Sequence, residues 1–218
     1  MNARLAEHYG VERDDSLDPE EFARVDFPAG ERAGVLTHGS LMALMAKETQ
    51  TRIVERGKYI RERILCQPLP PPPANAPSIP ERDPSASGRQ QLETLTAPRD
   101  CQQCHQAMNP LGFPFESFDA IGRFRTEDLG HRIDPSGAIT GTATDDTTVA
   151  DASELVAGLA DTAEVSECFQ THLRAYATGT HVEVCGARER FAESGDLREL
   201  VVDLVTDETF FLRIRGER

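Results

Sequence analysis

The stretch Cys101-Gln102-Gln103-Cys104-His105 determines how this chain is interpreted. Two cysteines stand three positions apart and a histidine follows directly, which is the Cys-x-x-Cys-His pattern of covalent haem attachment. On one turn of helix, each thiol can add to a vinyl group of a porphyrin, and the imidazole then lies under the iron. The motif predicts one covalently bound haem c, with His105 as the proximal iron ligand.

Two other uses of paired cysteines remain as alternatives. A thioredoxin-like redox site has Cys-x-x-Cys in a βαβ setting, whereas the flanks of this motif are predicted to be helical and proline-rich. A structural zinc site needs four ligands, and the sequence has no second Cys-x-x-Cys pair. Haem attachment is the favoured interpretation.

The amino-acid composition disfavours some classes of binding partner. The 218 residues include 37 acidic and 23 basic side chains, for a formal net charge of -14. Nucleic acid and anionic lipid are disfavoured, because both are bound by basic surfaces. No apolar run approaches the roughly 20 residues of a membrane-spanning helix. Hydrophobic residues make up only 39% of the chain, which predicts a thin core that a bound porphyrin would complete.

The predicted fold is mostly α-helical: an irregular, c-type cytochrome-like module followed by a C-terminal helical domain. Apolar patterning predicts helices at 33–46 and 53–65, and the motif is predicted to lie on a short helix over 101–108 that Asn109-Pro110 closes. A proline-rich run predicts a stiff polyproline II connector over 68–84, with a ligand for a partner domain as the alternative. Residues 122–127 and 132–140 are predicted to pair as a short β-hairpin, and 141–148 to form a loop.

The sixth iron ligand is less constrained by the sequence. Met108 follows His105 by three residues on the same helix, so it lies on the proximal side of the haem. The other candidates are histidines and methionines elsewhere in the chain, namely His38, Met42, Met45, His131, His172 and His181. Core packing is the alternative role of the methionines. An open or water-bound sixth position is a further alternative.

Residues after the motif offer contacts to the rest of a haem. Arg123 or Arg125 is predicted to bind haem propionates, since a guanidinium pairs with a carboxylate in bidentate fashion. An internal salt bridge to a neighbouring carboxylate is the alternative. Phe113, with Phe115 and Phe118, is predicted to line the haem or the core.

Many segments of the chain resemble the planctomycete cytochrome C domain family. They are 32–40, 56–58, 65–66, 70–73, 101–113, 116–123 and 133–137. Asn109 stands where that family usually has Asp. Residues 5–10 resemble the end of the domain that precedes it, and Tyr176-Ala177-Thr178-Gly179 resembles the small helical domain that follows. The resemblance implies that residues 1–30 are the end of a preceding helical domain. Residues 31–130 would then form the haem domain, and residues 131–218 a C-terminal helical domain.

The resemblance also implies an exported c-type haem protein, periplasmic or otherwise extracytoplasmic. The chain has no export signal, so a fragment of a longer precursor is expected. The favoured function is electron transfer to or from other redox domains of the same or a partner protein. The alternatives are a haem-dependent, peroxidase-like oxidative enzyme with an open distal site, and a non-catalytic interaction module in which the haem is structural.

The remaining cysteines fit an oxidising compartment. A disulfide is predicted between Cys168 and Cys185, closing a loop of about 16 residues and contributing roughly 3 kcal/mol. Two buried free thiols are the alternative. Cys66 is then expected to stand alone beside the proline run.

Overall fold

The computed structural model describes residues 1–14, 18–48, 50–73, 80, 82–179, 187–207 and 210, and of 187–189 only the backbone. Its helices are α1 (Ala3–Tyr9), α2 (Gly39–Leu44), α3 (Ile53–Tyr59), α4 (Gly88–Thr96), α5 (Arg99–Gly112), α6 (Ala152–Ala160), α7 (Ala163–Thr178), α8 (Ala187–Ser194) and α9 (Leu197–Thr206). Within this described part, helices predominate over two small antiparallel sheets. The predicted mostly α-helical fold is confirmed.

The centre of the fold is the crossing of α3 and α5, which two glycines bring into backbone contact. A Cβ added to Gly57 would lie 1.9 Å from the carbonyl oxygen of Met108, and one added to Gly112 would lie 2.2 Å from that of Ile53. Any larger side chain at either position would therefore push the helices apart. These two contacts also make α3 antiparallel to α5, so the start of α3 lies beside the end of α5.

Buried arginines stabilise the crossing of α3 and α5 through hydrogen bonds to backbone carbonyls. Arg56 is fully buried, and its guanidinium donates to the carbonyl oxygens of Phe115, Phe118 and Asp119 at 2.5, 2.8 and 2.9 Å. Burial lowers the pKa of Arg56 to about 10, and the nearby Glu116 carboxylate acts in the opposite direction. The guanidinium is still charged at neutral pH, and carbonyl oxygens replace the water it has lost.

Arg61 makes a similar link one turn further along, in the π-helical segment Ile60–Ile64 that continues α3. Its Nε and Nη2 both donate to the carbonyl of Ala107, at 3.0 and 2.8 Å, and its Nη1 donates to the carbonyl of Thr140 at 2.6 Å. One side chain thus joins α3, α5 and the strand region. Together with Arg56 it fixes the back of α5.

The main hydrophobic core lies behind α5, between α2, α3, α6 and the strands. Its buried members are Leu36, Met42, Met45, Ile60, Leu65, Leu111, Phe115, Phe118, Ile139, Val149, Ala152, Leu155 and Leu159. In contrast, α4 has no buried residue. The packing is therefore concentrated on one side of α5.

The predicted helix over 33–46 is wrong in its extent. The segment divides into a 3₁₀ turn, Val35–Thr37, and α2, with His38 in an extended conformation between them (ψ 137°). Thr37 is the cause: its buried hydroxyl accepts from the N–H of Ala33 at 3.0 Å and donates to the carbonyl of Ala33 at 3.1 Å. These local bonds compete with a continuous helix.

The helix of the motif is longer than the predicted 101–108. It begins at Arg99 and continues through Pro110 to Gly112, where the 3₁₀ turn Phe113–Ser117 follows. A proline removes one hydrogen bond inside a helix and usually ends it. Here two contacts stabilise the last turn of α5: the close approach of Gly57 to Met108 and the hydrogen bond from Arg61 to the carbonyl of Ala107.

The strand region is organised differently from the predicted single hairpin. Strand β1 (Glu127–Asp128) pairs with β2 (His131–Arg132), and β3 (Gly137–Ile139) pairs with β4 (Thr147–Val149). The predicted loop at 141–148 therefore runs into a strand. Ile139 and Val149 bury their side chains in the core, and this burial selects the second pairing.

The disulfide also differs from the prediction. Cys168 is bonded to Cys66, 102 positions away, and not to Cys185, which lies outside the described residues. Packing of α7 against the π-helical end of α3 brings the two sulfurs together, a contact that spacing along the chain does not reveal. The described part of the chain has no helix that is long and apolar enough to cross a membrane.

Candidate functional site

The front of α5 carries the motif. Cys101, Cys104, His105 and Met108 have the spacing i, i+3, i+4, i+7, which places them on one face of the helix. That face forms one wall of a cavity of about 360 Å³. The two cysteines are partly exposed and are not in a disulfide. The cavity thus brings together two free thiols and an imidazole.

The other walls come from α3, α4 and the proline-rich connector. Apolar groups dominate them, contributed by Ile53, Val54, Leu69, Pro70, Pro72, Pro73, Pro80, Leu92 and Leu95. Polar and charged side chains complete the lining, among them Lys47, Arg52, Lys58, Arg82 and Asp100. A mostly apolar cavity with a few polar groups is typical of a cofactor site.

Hydrogen bonds fix the orientation of the imidazole. His105 Nδ1 lies 3.0 Å from Oδ1 of Asn109, whose Nδ2 donates to the hydroxyl of Thr96 at 3.3 Å. That hydroxyl donates in turn to the carbonyl of Leu92 at 2.9 Å. Since the amide nitrogen of Asn109 is used by Thr96, its oxygen faces His105 and accepts from Nδ1–H. Nε2 is left with its lone pair free for a metal, an arrangement typical of ligating histidines.

The cavity passes a second test for a haem. Arg52 and Arg82 line it, and the Nε atoms of both are buried without a hydrogen-bond partner among the described residues. Buried donors without acceptors are costly. A ligand that carries carboxylates, as haem does, would supply acceptors at this place. The residues present therefore fit the group that the motif implies.

The predicted sixth ligands lie elsewhere. Met42 and Met45 are in the main core, and His38 caps α2 with its Nδ1 2.8 Å from the hydroxyl of Ser40. His131 Nε2 donates to the carbonyl of Pro84 at 3.0 Å. None of these four residues lines the cavity, so the structure does not bring them to His105.

Of the two other histidine candidates, His181 lies outside the described residues. His172 is on α7, where its Nε2 lies 3.6 Å from the Sγ of Cys66. The ligand atoms of Cys66, Cys168 and His172 lie within 4.8 Å of one another. Both sulfurs are in the disulfide, so this group has no thiolate for a metal.

The predicted contacts to propionates and haem edge are also away from the cavity lining. Arg123 is exposed, and its backbone N–H donates to Asp119 Oδ1 at 2.8 Å. Arg125 pairs with Asp128 at 2.6 Å, which matches the internal salt bridge considered as its alternative. Phe113 is buried beneath the guanidinium of Arg89, 4.1 Å from its ring centroid.

Comparison with known families finds a match that covers the motif. Residues 32–128 match the family described as PSCyt3, protein of unknown function (DUF1588). This segment is similar to a PSCyt3 domain. It contains α2 to α5, β1 and every residue that lines the cavity, and its ends lie close to the predicted haem domain at 31–130. No curated protein and no solved structure matches the chain.

Sequence reasoning missed the groups that surround the motif in the cavity. Asn109 follows His105 by four positions, so helical spacing placed it beside the imidazole and gave a usable signal. Arg52 and Arg82 gave no such signal, because they come from separate segments. Gly57 and Gly112 stand at ordinary helical positions, and only the crossing of the helices reveals their role.

Proposed function

We propose that the segment 32–128 binds one haem c covalently and transfers electrons as a module of a larger exported redox protein. The observation that carries the proposal is the meeting of Cys101, Cys104 and His105 on the wall of one cavity, with the imidazole already held by Asn109. The zinc and thioredoxin-like alternatives are less favoured. Within the described part of the chain, no further cysteine or histidine lines this cavity.

Each residue of the motif has a defined role in this proposal. Each thiol adds across a vinyl double bond, so a C–S bond forms and the thiol hydrogen passes to the neighbouring vinyl carbon. His105 presents Nε2 to the iron while Asn109 holds Nδ1–H. A haem held by these residues would supply one-electron redox chemistry. The apolar walls exclude water from this site and thereby set the potential.

The proposed location is outside the cytoplasm, in the periplasm or an equivalent compartment. The Cys66–Cys168 disulfide supports this location, because such bonds persist in oxidising compartments. The formal charge of -14 favours partners with a basic surface. Other redox domains of the same or a partner protein are the proposed electron donors and acceptors.

One observation favours a second function, haem-dependent oxidative chemistry at an open distal position. The described lining of the cavity has no histidine besides His105 and no methionine besides Met108, which shares its helix. An iron without a strong sixth ligand would bind small molecules. A spectrum that changes with cyanide or carbon monoxide would favour this function, whereas an unchanged low-spin spectrum would favour electron transfer.

The proposal is tested by producing the full chain in a host competent for haem c maturation. We expect a reduced-minus-oxidised spectrum typical of a c-type cytochrome, with haem that stays on the polypeptide during acid–acetone extraction. Cys101→Ala combined with Cys104→Ala should abolish attachment. Cys66→Ala combined with Cys168→Ala is the matched control and should keep it. Haem that remains covalently attached to the variant without Cys101 and Cys104 would contradict the proposal.

A further inference from the structure

We infer that Arg52 and Arg82 bind the haem propionates at the end of the cavity opposite Cys101, an inference that rests on the proposed haem site. The porphyrin carries its propionates on the edge opposite its vinyl groups. The thioethers would hold the vinyl edge near the start of α5. Hydrogen-bond donors for the propionates must then come from the opposite end of the cavity.

The crossing of α3 and α5 places Arg52 at that end. Ile53 lies against Gly112, the last residue of α5, so Arg52 lies beside the C-terminal end of the helix. Cys104 and Gly112 are eight residues apart, which corresponds to about 12 Å along a helix. The backbone of Arg52 is thus displaced from Cys104 by about 12 Å along the axis of α5.

A chain of polar contacts places Arg82 in the same neighbourhood. Its Nη2 lies 2.7 Å from Oδ2 of Asp128, and Arg125 holds the other oxygen of that carboxylate at 2.6 Å. Arg125 also donates from Nη2 to the hydroxyl of Thr51 at 3.5 Å, and Thr51 precedes Arg52. Two guanidinium groups from different segments therefore converge on one end of the cavity.

Each of the two arginines has a guanidinium N–H donor that no described residue accepts. The Arg52 side chain is 34% exposed and that of Arg82 is 16% exposed, yet the Nε of each is buried and without a hydrogen-bond partner. Their acidic neighbours leave this donor unused: Glu55 lies 3.6 Å from Nη2 of Arg52, and Asp128 lies 2.7 Å from Nη2 of Arg82 in an ion pair without a hydrogen bond. A propionate beside each Nε would satisfy it, in the planar geometry that guanidinium groups share with carboxylates.

The other cations are weaker candidates. Lys47 is exposed, and Lys58 lies 3.9 Å from the Glu62 carboxylate. Neither leaves a buried donor without a partner. Arg123, the candidate from the sequence, is exposed and does not line the cavity, which makes it a suitable control.

The test compares Arg52→Gln, Arg82→Gln and the control Arg123→Gln in the haem-loaded full chain, by resonance Raman spectroscopy and potentiometry. Each cavity variant should shift the propionate bending band and lower the midpoint potential, because a lost cation favours ferric iron. Arg123→Gln should change neither. Arg52→Lys and Arg82→Lys keep the charge and serve where a glutamine variant fails to fold; they should restore the potential and still shift the band.

The two proposals fail in different ways. Haem that is attached, with a propionate band unchanged in the variants of Arg52 and Arg82, overturns the propionate assignment alone. A potential that moves while the band stays fixed also overturns it, since it indicates an effect of charge without contact. A chain without haem overturns both proposals.

Discussion

Helix α5 has two faces that are built in opposite ways. Its back meets α3 through Gly57 and Gly112 and is held by the buried guanidinium groups of Arg56 and Arg61. Its front, which carries Cys101 and the rest of the motif, faces a cavity whose outer wall is α4 and a proline-rich connector. No residue of α4 is buried.

The two faces of α5 differ in whether the protein's own side chains complete the packing. The back is close-packed, and carbonyl oxygens accept from the terminal guanidinium nitrogens of Arg56 and Arg61, although Nε of Arg56 has no partner among the described residues. The front presents mostly apolar walls to the cavity, and two arginine Nε atoms there have no acceptor among the described residues. A porphyrin would supply apolar surface and carboxylates in one group. The back therefore positions the motif, and the front is completed by the cofactor.

The largest loss of stability is expected when the disulfide between α7 and the segment after α3 is removed. Cys66→Ala combined with Cys168→Ala opens a link across 102 positions, which should lower the free energy of unfolding by about 2–5 kcal/mol. Urea unfolding of the haem-free chain measures it. Cys101→Ala combined with Cys104→Ala, on the front, is the matched control and should cost less. A loss no greater than that of the control would refute the view that the bond stabilises the back.

The glycine crossing can be broken by a single methyl group. Gly57→Ala places a Cβ where the Met108 carbonyl lies, so we expect a loss of about 1–3 kcal/mol. Gly88→Ala, on the front helix α4, is the comparison. Its Cβ would lie 3.0 Å from the Nη1 of Arg82, a flexible end that can move, and the change should stay within about 0.5 kcal/mol. Similar losses in both variants would remove the proposed contrast between the faces.

A smaller loss of stability is expected from a substitution in the hydrogen-bond chain that orients the imidazole. Thr96→Val removes the acceptor for Nδ2 of Asn109 as well as the hydroxyl's own bond to Leu92. Thr94→Val removes only the equivalent bond to Gln90. The variant of Thr96 should lose about 1 kcal/mol more than that of Thr94, measured by urea unfolding. Equal losses would mean that Asn109 does not depend on Thr96.

Local patterns predicted the parts of the site that lie within one helix. The spacing of Cys101, Cys104 and His105 was sufficient to place them on one face, and the predicted helix at 53–65 corresponds to α3 with its π-helical continuation. Distant contacts were not predictable. The partner of Cys168 lies 102 positions away, and pairing among several cysteines does not follow from sequence alone. The break at His38 depends on the hydroxyl of Thr37, a local bond that apolar periodicity does not register.

The most direct test of the account is the intact mass of the full chain after production with haem c maturation machinery. We predict a single species heavier than the polypeptide by one haem, with the added mass on the peptide that contains Cys101 and Cys104. A product with the mass of the bare polypeptide would contradict the account.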